Sequence, residues 1–139
     1  MLEFAGRLNR PDLIIKDFTH WVVILRDEPF TLGSAIIILK SAKPNFSRVS
    51  QKEMGEFVKV CRWYESITSR LFGAVKWNYN AVMMRESFVH FQAIPRYEKS
   101  VKKYGFEWVD ADWPKRHNCN KLDVPKNVIT KVLKDMKGE

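Results

Sequence analysis

The sequence predicts an α+β fold, in which an antiparallel meander sheet carries one long helix packed across it and a short C-terminal helix. Three observations predict it. Two β-branched apolar runs, 20–26 and 34–40, flank a loop punctuated by Pro29 and Gly33. A capping box, Ser50 with Glu53, opens a long stretch of helical periodicity. Two further runs, 77–84 and 87–97, alternate in the manner of strands.

Taken in order, residues 1–17 are mixed and give no defined element, and 11–15 reads equally as a short strand or a turn of helix. The runs 20–26 and 34–40 are continuous rather than alternating in hydrophobicity, so both faces of those strands should be covered. They form an antiparallel hairpin with a long loop. Residues 41–49 are a loop. From Ser50 the apolar positions Met54, Phe57, Val58, Cys61, Tyr64, Thr68, Leu71 and Phe72 trace a helical stripe, and Gly73 is a good stop. Lys52, Glu56, Lys59, Arg62 and Arg70 mark the solvent side. The helix, of about six turns, lies across the sheet.

In 77–84, Asn78 and Asn80 share a face, and Arg85-Glu86 leaves room only for a tight turn into the next strand. In that next strand Phe88, His90, Gln92 and Ile94 point one way, and Val89, Phe91 and Ala93 the other. The expected register puts Asn78 and Asn80 on the face of His90 and Gln92. A basic loop follows Pro95, then an aromatic stretch in which Trp108 and Trp113 either pack onto the core or offer a contact surface. Pro125 stands at the first turn of a final helix, about 126–137. The expectation is one domain, 1–139, with 98–139 as a C-terminal extension.

Bulk properties narrow the function. The 139 residues carry 24 basic and 16 acidic side chains, a net charge of +8. That charge suits nucleic acid, a phosphorylated small molecule or an acidic partner without choosing among them. The two cysteines, Cys61 and Cys119, match no metal or disulfide pattern, and Cys61 falls on the apolar helix face as a reduced core residue. No apolar run approaches the roughly 18 residues of a membrane span, and no signal peptide opens the chain, so a cytoplasmic protein without membrane partner, metal or cofactor is expected. There is no glycine-rich phosphate loop, serine elbow or zinc-ligand spacing. The one unusual constellation is His90 beside Gln92 on a strand face. They are either satisfied core polar groups or the lining of a site.

The segment Val89-His90-Phe91-Gln92-Ala93-Ile94-Pro95-Arg96-Tyr97 resembles the signature strand of the histidine triad (HIT) superfamily, His-apolar-His-apolar-His-apolar-apolar, commonly followed by Pro-Arg. The upstream order of strand, Asp27, loop, Leu32-Gly33, strand, capped helix and Asn-bearing strand resembles the family layout. The C-terminal part, with His117 and the Val124-Pro125 helix, is similar to small bacterial diadenosine tetraphosphate hydrolase-like members. The resemblance spans roughly residues 18–137. It implies that His90 is a nucleophile toward the α-phosphorus of a nucleotide or dinucleoside polyphosphate. It further implies that Gln92 donates to phosphate, as glutamine does in the transferase branches, and that Asp27 binds ribose hydroxyls while Asn78 lies near the nucleotide. Arg85 either replaces a lost phosphate contact or is a solvated turn charge. Homodimers are common in the family.

Departures from the family pattern are as clear. Phe88 stands at the first triad position, Gln92 at the third, Ala42 where a further histidine occurs, and Met84 where an asparagine is frequent. The resemblance therefore implies a nucleotidyl hydrolase or transferase, or alternatively a catalytically impaired nucleotide-binding protein or sensor. A nucleic-acid role is a weaker third reading.

Overall fold

The structure, a computed structural model, describes residues 2–139. Strands β1 (Ile14–Asp17), β2 (Trp21–Leu25), β3 (Ala35–Leu39), β4 (Lys76–Asn80) and β5 (His90–Arg96) form one antiparallel sheet in the order β1-β2-β3-β5-β4. The first three run as a meander, and β5 then lies between β3 and β4. The long helix α1 (Gln51–Phe72) connects β3 to β4. A small hairpin, β6 (Val101–Lys103) with β7 (Phe106–Trp108), and the helix α2 (Lys126–Lys137) complete the chain.

Every residue of β2 and β3 is buried, which is the two-sided cover their unbroken apolar runs call for. The capping box forms as spelled: Ser50 Oγ accepts the Glu53 N–H at 3.1 Å and Glu53 Oε1 accepts the Ser50 N–H at 2.9 Å. Gly73 ends α1 at φ +82, where a side chain would be strained. One face of the sheet is sealed by α1. Phe57 packs on Trp21 (ring centroids 4.9 Å apart) and on Phe91 (4.4 Å). The Tyr64 hydroxyl donates to the Gly33 carbonyl at 2.6 Å, tying the helix to the β2–β3 loop. Gly33 itself sits at φ +81, and a Cβ there would come within 3.1 Å of the Phe72 ring. Helix α2 buries Val128, Ile129, Val132 and Met136 against α1 and β1.

The structure corrects three sequence expectations. β4 ends at Asn80 rather than Met84, and the connection to β5 spans 81–89 instead of a tight turn at Arg85-Glu86. The cause is that Val89 is already held from the β3 side, its N–H on Lys43 O (2.8 Å) and its carbonyl on Leu39 N–H (3.2 Å). Pairing with β4 stops at Asn80 and Gln92, so the chain between must arch outward. In α1, Val58 is exposed, because the sheet contact runs through Val60, Tyr64, Ile67, Thr68 and Phe72. Lastly, the N-terminal segment is structured. Short 3-10 turns, Glu3–Leu8 and Pro11–Leu13, bury Leu2, Ala5, Leu8 and Leu13, and the second runs directly into β1. Leu8 and Leu13 line a cavity with Ile24 and Ile36, so this segment roofs the sheet face opposite α1. Trp108 is buried in the core, and Trp113 is half-buried beside Arg96.

Candidate functional site

The alternation of β5 places His90 and Gln92 on the face away from α1, while Phe91 and Ala93 face the helix. On β3, Ile38 lies opposite His90 and Ile36 opposite Gln92. On β4, Asn80 lies opposite Gln92 and Asn78 opposite Ile94. Residues directly opposite share a face, so Asn78 and Asn80 do stand on the face of His90 and Gln92, as the register expected from sequence has it.

His90 is buried, with 5% of its surface exposed. Its Nδ1 lies 2.9 Å from the backbone oxygen of Phe88. A carbonyl only accepts, so Nδ1 is assigned the proton and Nε2 the lone pair. Nε2 makes no hydrogen bond to any described residue. Among the described residues no buried side-chain nitrogen or oxygen lacks a partner, so Nε2 is the edge of the ring that reaches open space. Phe88 stands against the imidazole (centroids 5.3 Å apart) and Phe4 meets Phe88 edge-on at 5.1 Å. An aromatic pair thus covers one side of the His90 ring.

Gln92 is half-buried, and its Oε1 accepts a hydrogen bond from Arg26 Nη1 at 2.9 Å. Arg26 Nε donates to the Glu28 carbonyl at 3.1 Å, and the guanidinium lies 4.2 Å from the Phe30 ring centroid. Sequence reasoning passed over Arg26 as the polar end of a buried strand. Its signal was its place directly before Asp27, which puts a cation at the rim of the same face. A cavity of about 220 Å³ opens beside it, lined by Arg7, Arg10, Arg26 and Lys121 over Ile24 and Ile36.

The remaining candidates are dispersed. Asp27 also lines that cavity, but it is exposed and its carboxylate is taken by Arg10 Nη1 at 2.9 Å. Arg10 in turn clamps Asp12 through Nε and Nη2 (3.0 and 2.8 Å), and that bond holds the Asp12 carboxyl below its ordinary pKa. The Asn78 side-chain oxygen accepts from Arg96 Nη1 at 2.8 Å. That arginine forms a buried ion pair with Asp110 (2.6 and 3.1 Å) and also reaches Lys115 O. Burial pushes the Asp110 carboxyl up, but the Arg96 bonds and the Tyr97 N–H outweigh it and hold it below the usual range. Asn78 is therefore bound into a buried polar cluster. Arg85 is exposed on the 81–89 loop and makes no hydrogen bond or ion pair among the described residues, whereas its neighbour Glu86 pairs with Arg7 of the N-terminal segment. Ala42 lies in the turn after β3 and Met84 is exposed on the loop. Cys61 and Cys119 are free thiols, and burial pushes Cys61 up to about 11. Among the described residues no cluster could hold a metal ion, and no helix is long and apolar enough to cross a membrane.

His117, from the C-terminal segment, packs its ring 5.9 Å from Phe30, and its Nδ1 accepts the Cys119 N–H at 2.8 Å. It braces the aromatic ring on which Arg26 rests.

The same arrangement of sheet and helices occurs in solved structures. A histidine triad protein from Sinorhizobium meliloti 1021 superposes with a TM-score of 0.74 at 14% identity, over 96% of this chain and 93% of the other. The chain has the histidine triad fold. A histidine triad nucleotide-binding protein from Sulfolobus tokodaii, described as hypothetical, gives 0.69 at 16% identity over 98% and 89%. The diadenosine triphosphate hydrolase of Plasmodium falciparum, in complex with cyclomarin A, gives 0.65 at 11% identity over 92% and 76%. No family model matches the sequence. No curated protein matches it either. The two faces of β5 differ accordingly: Phe91 belongs to the core beneath α1, and His90 and Gln92 stand on the face away from it.

Proposed function

We propose that this protein binds a nucleotide or dinucleoside polyphosphate and acts at its α-phosphate as a nucleotidyl hydrolase or transferase, with His90 as nucleophile. One observation carries the reading: the Phe88 carbonyl fixes the Nδ1 proton and leaves the Nε2 lone pair facing open space. In the first step Nε2 forms a bond to the α-phosphorus as the P–O bond to the leaving group breaks. In the second, water or another acceptor attacks the same phosphorus, takes the nucleotidyl group and returns the lone pair to Nε2. Gln92 supports the phosphate oxygens with an amide that donates at every pH. Asp27 is the candidate partner of the ribose hydroxyls once Arg10 releases it. Asn78 and Arg85 belong to the margin of this proposal, since one is committed to Arg96 and the other projects into solvent. A homodimer and a cytoplasmic location are the expectations that accompany it.

A second reading, a nucleotide-binding protein without turnover, draws on the Phe4–Phe88 pair beside His90 and on the Arg10–Asp27 ion pair. Calorimetry with AMP and ADP, followed by turnover assays on dinucleoside polyphosphates, nucleotide sugars and nucleoside phosphoramidates, separates the two. Turnover abolished by His90→Ala supports the enzyme. Binding without turnover of any member supports the sensor. Absence of both binding and turnover removes both readings.

A further inference from the structure

We infer that Arg26 and Gln92 together form a phosphate-binding pair, with the ligand phosphate as the directly bonded counter-ion that neither Asp27 nor Glu28 supplies to Arg26. The inference rests on the nucleotide reading only for the identity of the phosphate bearer.

Arg26 is half-buried and all its acceptors are neutral: the Glu28 carbonyl, the Gln92 amide oxygen and the Phe30 ring face. The acids nearby are engaged elsewhere, Asp27 with Arg10 at 2.9 Å and Glu28 with Lys121 at 3.6 Å. Burial lowers the Arg26 pKa and outweighs the opposing charges of Glu28 and Asp27, neither of which bonds to it directly. A guanidinium left without a counter-ion in such a place is costly unless something outside the protein supplies one.

Hydrogen-bond geometry gives the second part. Arg26 Nη1 binds Gln92 Oε1, which fixes the amide so that its NH₂ group is the free end. Among the described residues neither that NH₂ group nor Arg26 Nη2 has an acceptor and no buried nitrogen goes unpartnered, so both open onto solvent. Two free donors, one of them charged, therefore stand next to each other on the face that carries His90 Nε2. A planar guanidinium beside an amide matches the paired oxygens of a phosphate group. The adjoining cavity is lined by Arg7, Arg10 and Lys121 together with Asp27 and Glu28, a mixed lining with an excess of positive charge.

Titration calorimetry with inorganic pyrophosphate and inorganic phosphate tests this on the full chain. Wild-type protein should bind pyrophosphate, more tightly than phosphate, with affinity that falls as salt rises. Arg26→Gln should weaken pyrophosphate binding by about tenfold or more, Arg26→Lys should retain part of it, and Arg62→Gln on the outer side of α1 should leave it unchanged. Arg26→Lys keeps the charge, so it also covers the case in which Arg26→Gln fails to fold. Equal affinity in wild type, Arg26→Gln and Arg26→Lys overturns the inference, as does a wild type that binds neither anion. The two levels remain separable. Arg26-dependent pyrophosphate binding with no nucleotidyl transfer from any donor refutes the catalytic reading alone, and His90-dependent transfer with anion affinity indifferent to Arg26 refutes this inference alone.

Discussion

The two faces of β5 differ in how they are covered, and the difference separates stability from function. Toward α1, Phe91 meets Trp21, Phe57 and Phe46 in continuous aromatic packing. Toward the other side, His90, Gln92 and Asn78 make hydrogen bonds, and the roof is built from the N-terminal segment through Phe4, Arg7 and Arg10. A jigsaw of apolar side chains tolerates no group with open valence. The opposite face keeps such groups, namely His90 Nε2, the Gln92 NH₂ and Arg26 Nη2. Leu2, Ala5, Leu8 and Leu13 anchor that roof in the core, and its exposed ion pairs add little.

Substitutions in neighbouring residues can break this comparison. Phe91→Ala should destabilise the protein by about 3–5 kcal/mol in chemical denaturation, whereas His90→Asn, one residue away, should change stability far less and abolish turnover. If both variants lost stability equally, the division between the faces would be wrong. Asp110→Ala should cost about 3–5 kcal/mol, because it strands the buried Arg96 guanidinium. That loss would show that the Asn78 end of the site face is structural, and a loss well under 1 kcal/mol would contradict it.

Glu53 sharpens the contrast from the helix side. Burial pushes its carboxyl up, but Lys43, the Ser50 N–H and Ser41 outweigh burial and hold it at about 2, below its ordinary 4.5. The folded value is the depressed one, so its stabilisation is complete above about 4.5 and is lost as pH falls through about 2. Thermal melts of the wild type should lose stability across that window. Glu53→Gln should cost about 1 kcal/mol at neutral pH and flatten the acid limb. Arg10→Ala carries the smallest expected effect on stability, at most about 1 kcal/mol, yet it frees Asp27 and should tighten AMP binding. Weaker AMP binding in Arg10→Ala would show instead that Arg10 serves the ligand.

Most of the architecture was legible because it is written locally. The runs at 20–26 and 34–40, the Ser50–Glu53 capping box and Gly73 each specify an element through their own neighbours. The alternation of β5 gave the face of His90 and Gln92, and the resemblance gave the strand its meaning. What stayed hidden depends on partners far along the chain. The arch at 81–89 follows from bonds between Val89 and the β3 side. Arg26 gains its significance from Gln92, 66 residues away. Asp27 is occupied by an arginine from a segment that showed no periodicity at all. The resemblance pointed to Asn78, and only the fold reveals that Arg96 holds it.

The most direct measurement of the central claim is intact-mass and peptide-mapping spectrometry after mixing the protein with dinucleoside polyphosphates, with quench and digestion kept alkaline to preserve a phosphoramidate. The account predicts a nucleoside monophosphate added to the peptide that contains His90, and no addition in His90→Asn. Nucleotide binding with an unmodified His90 and no turnover across the panel would contradict it.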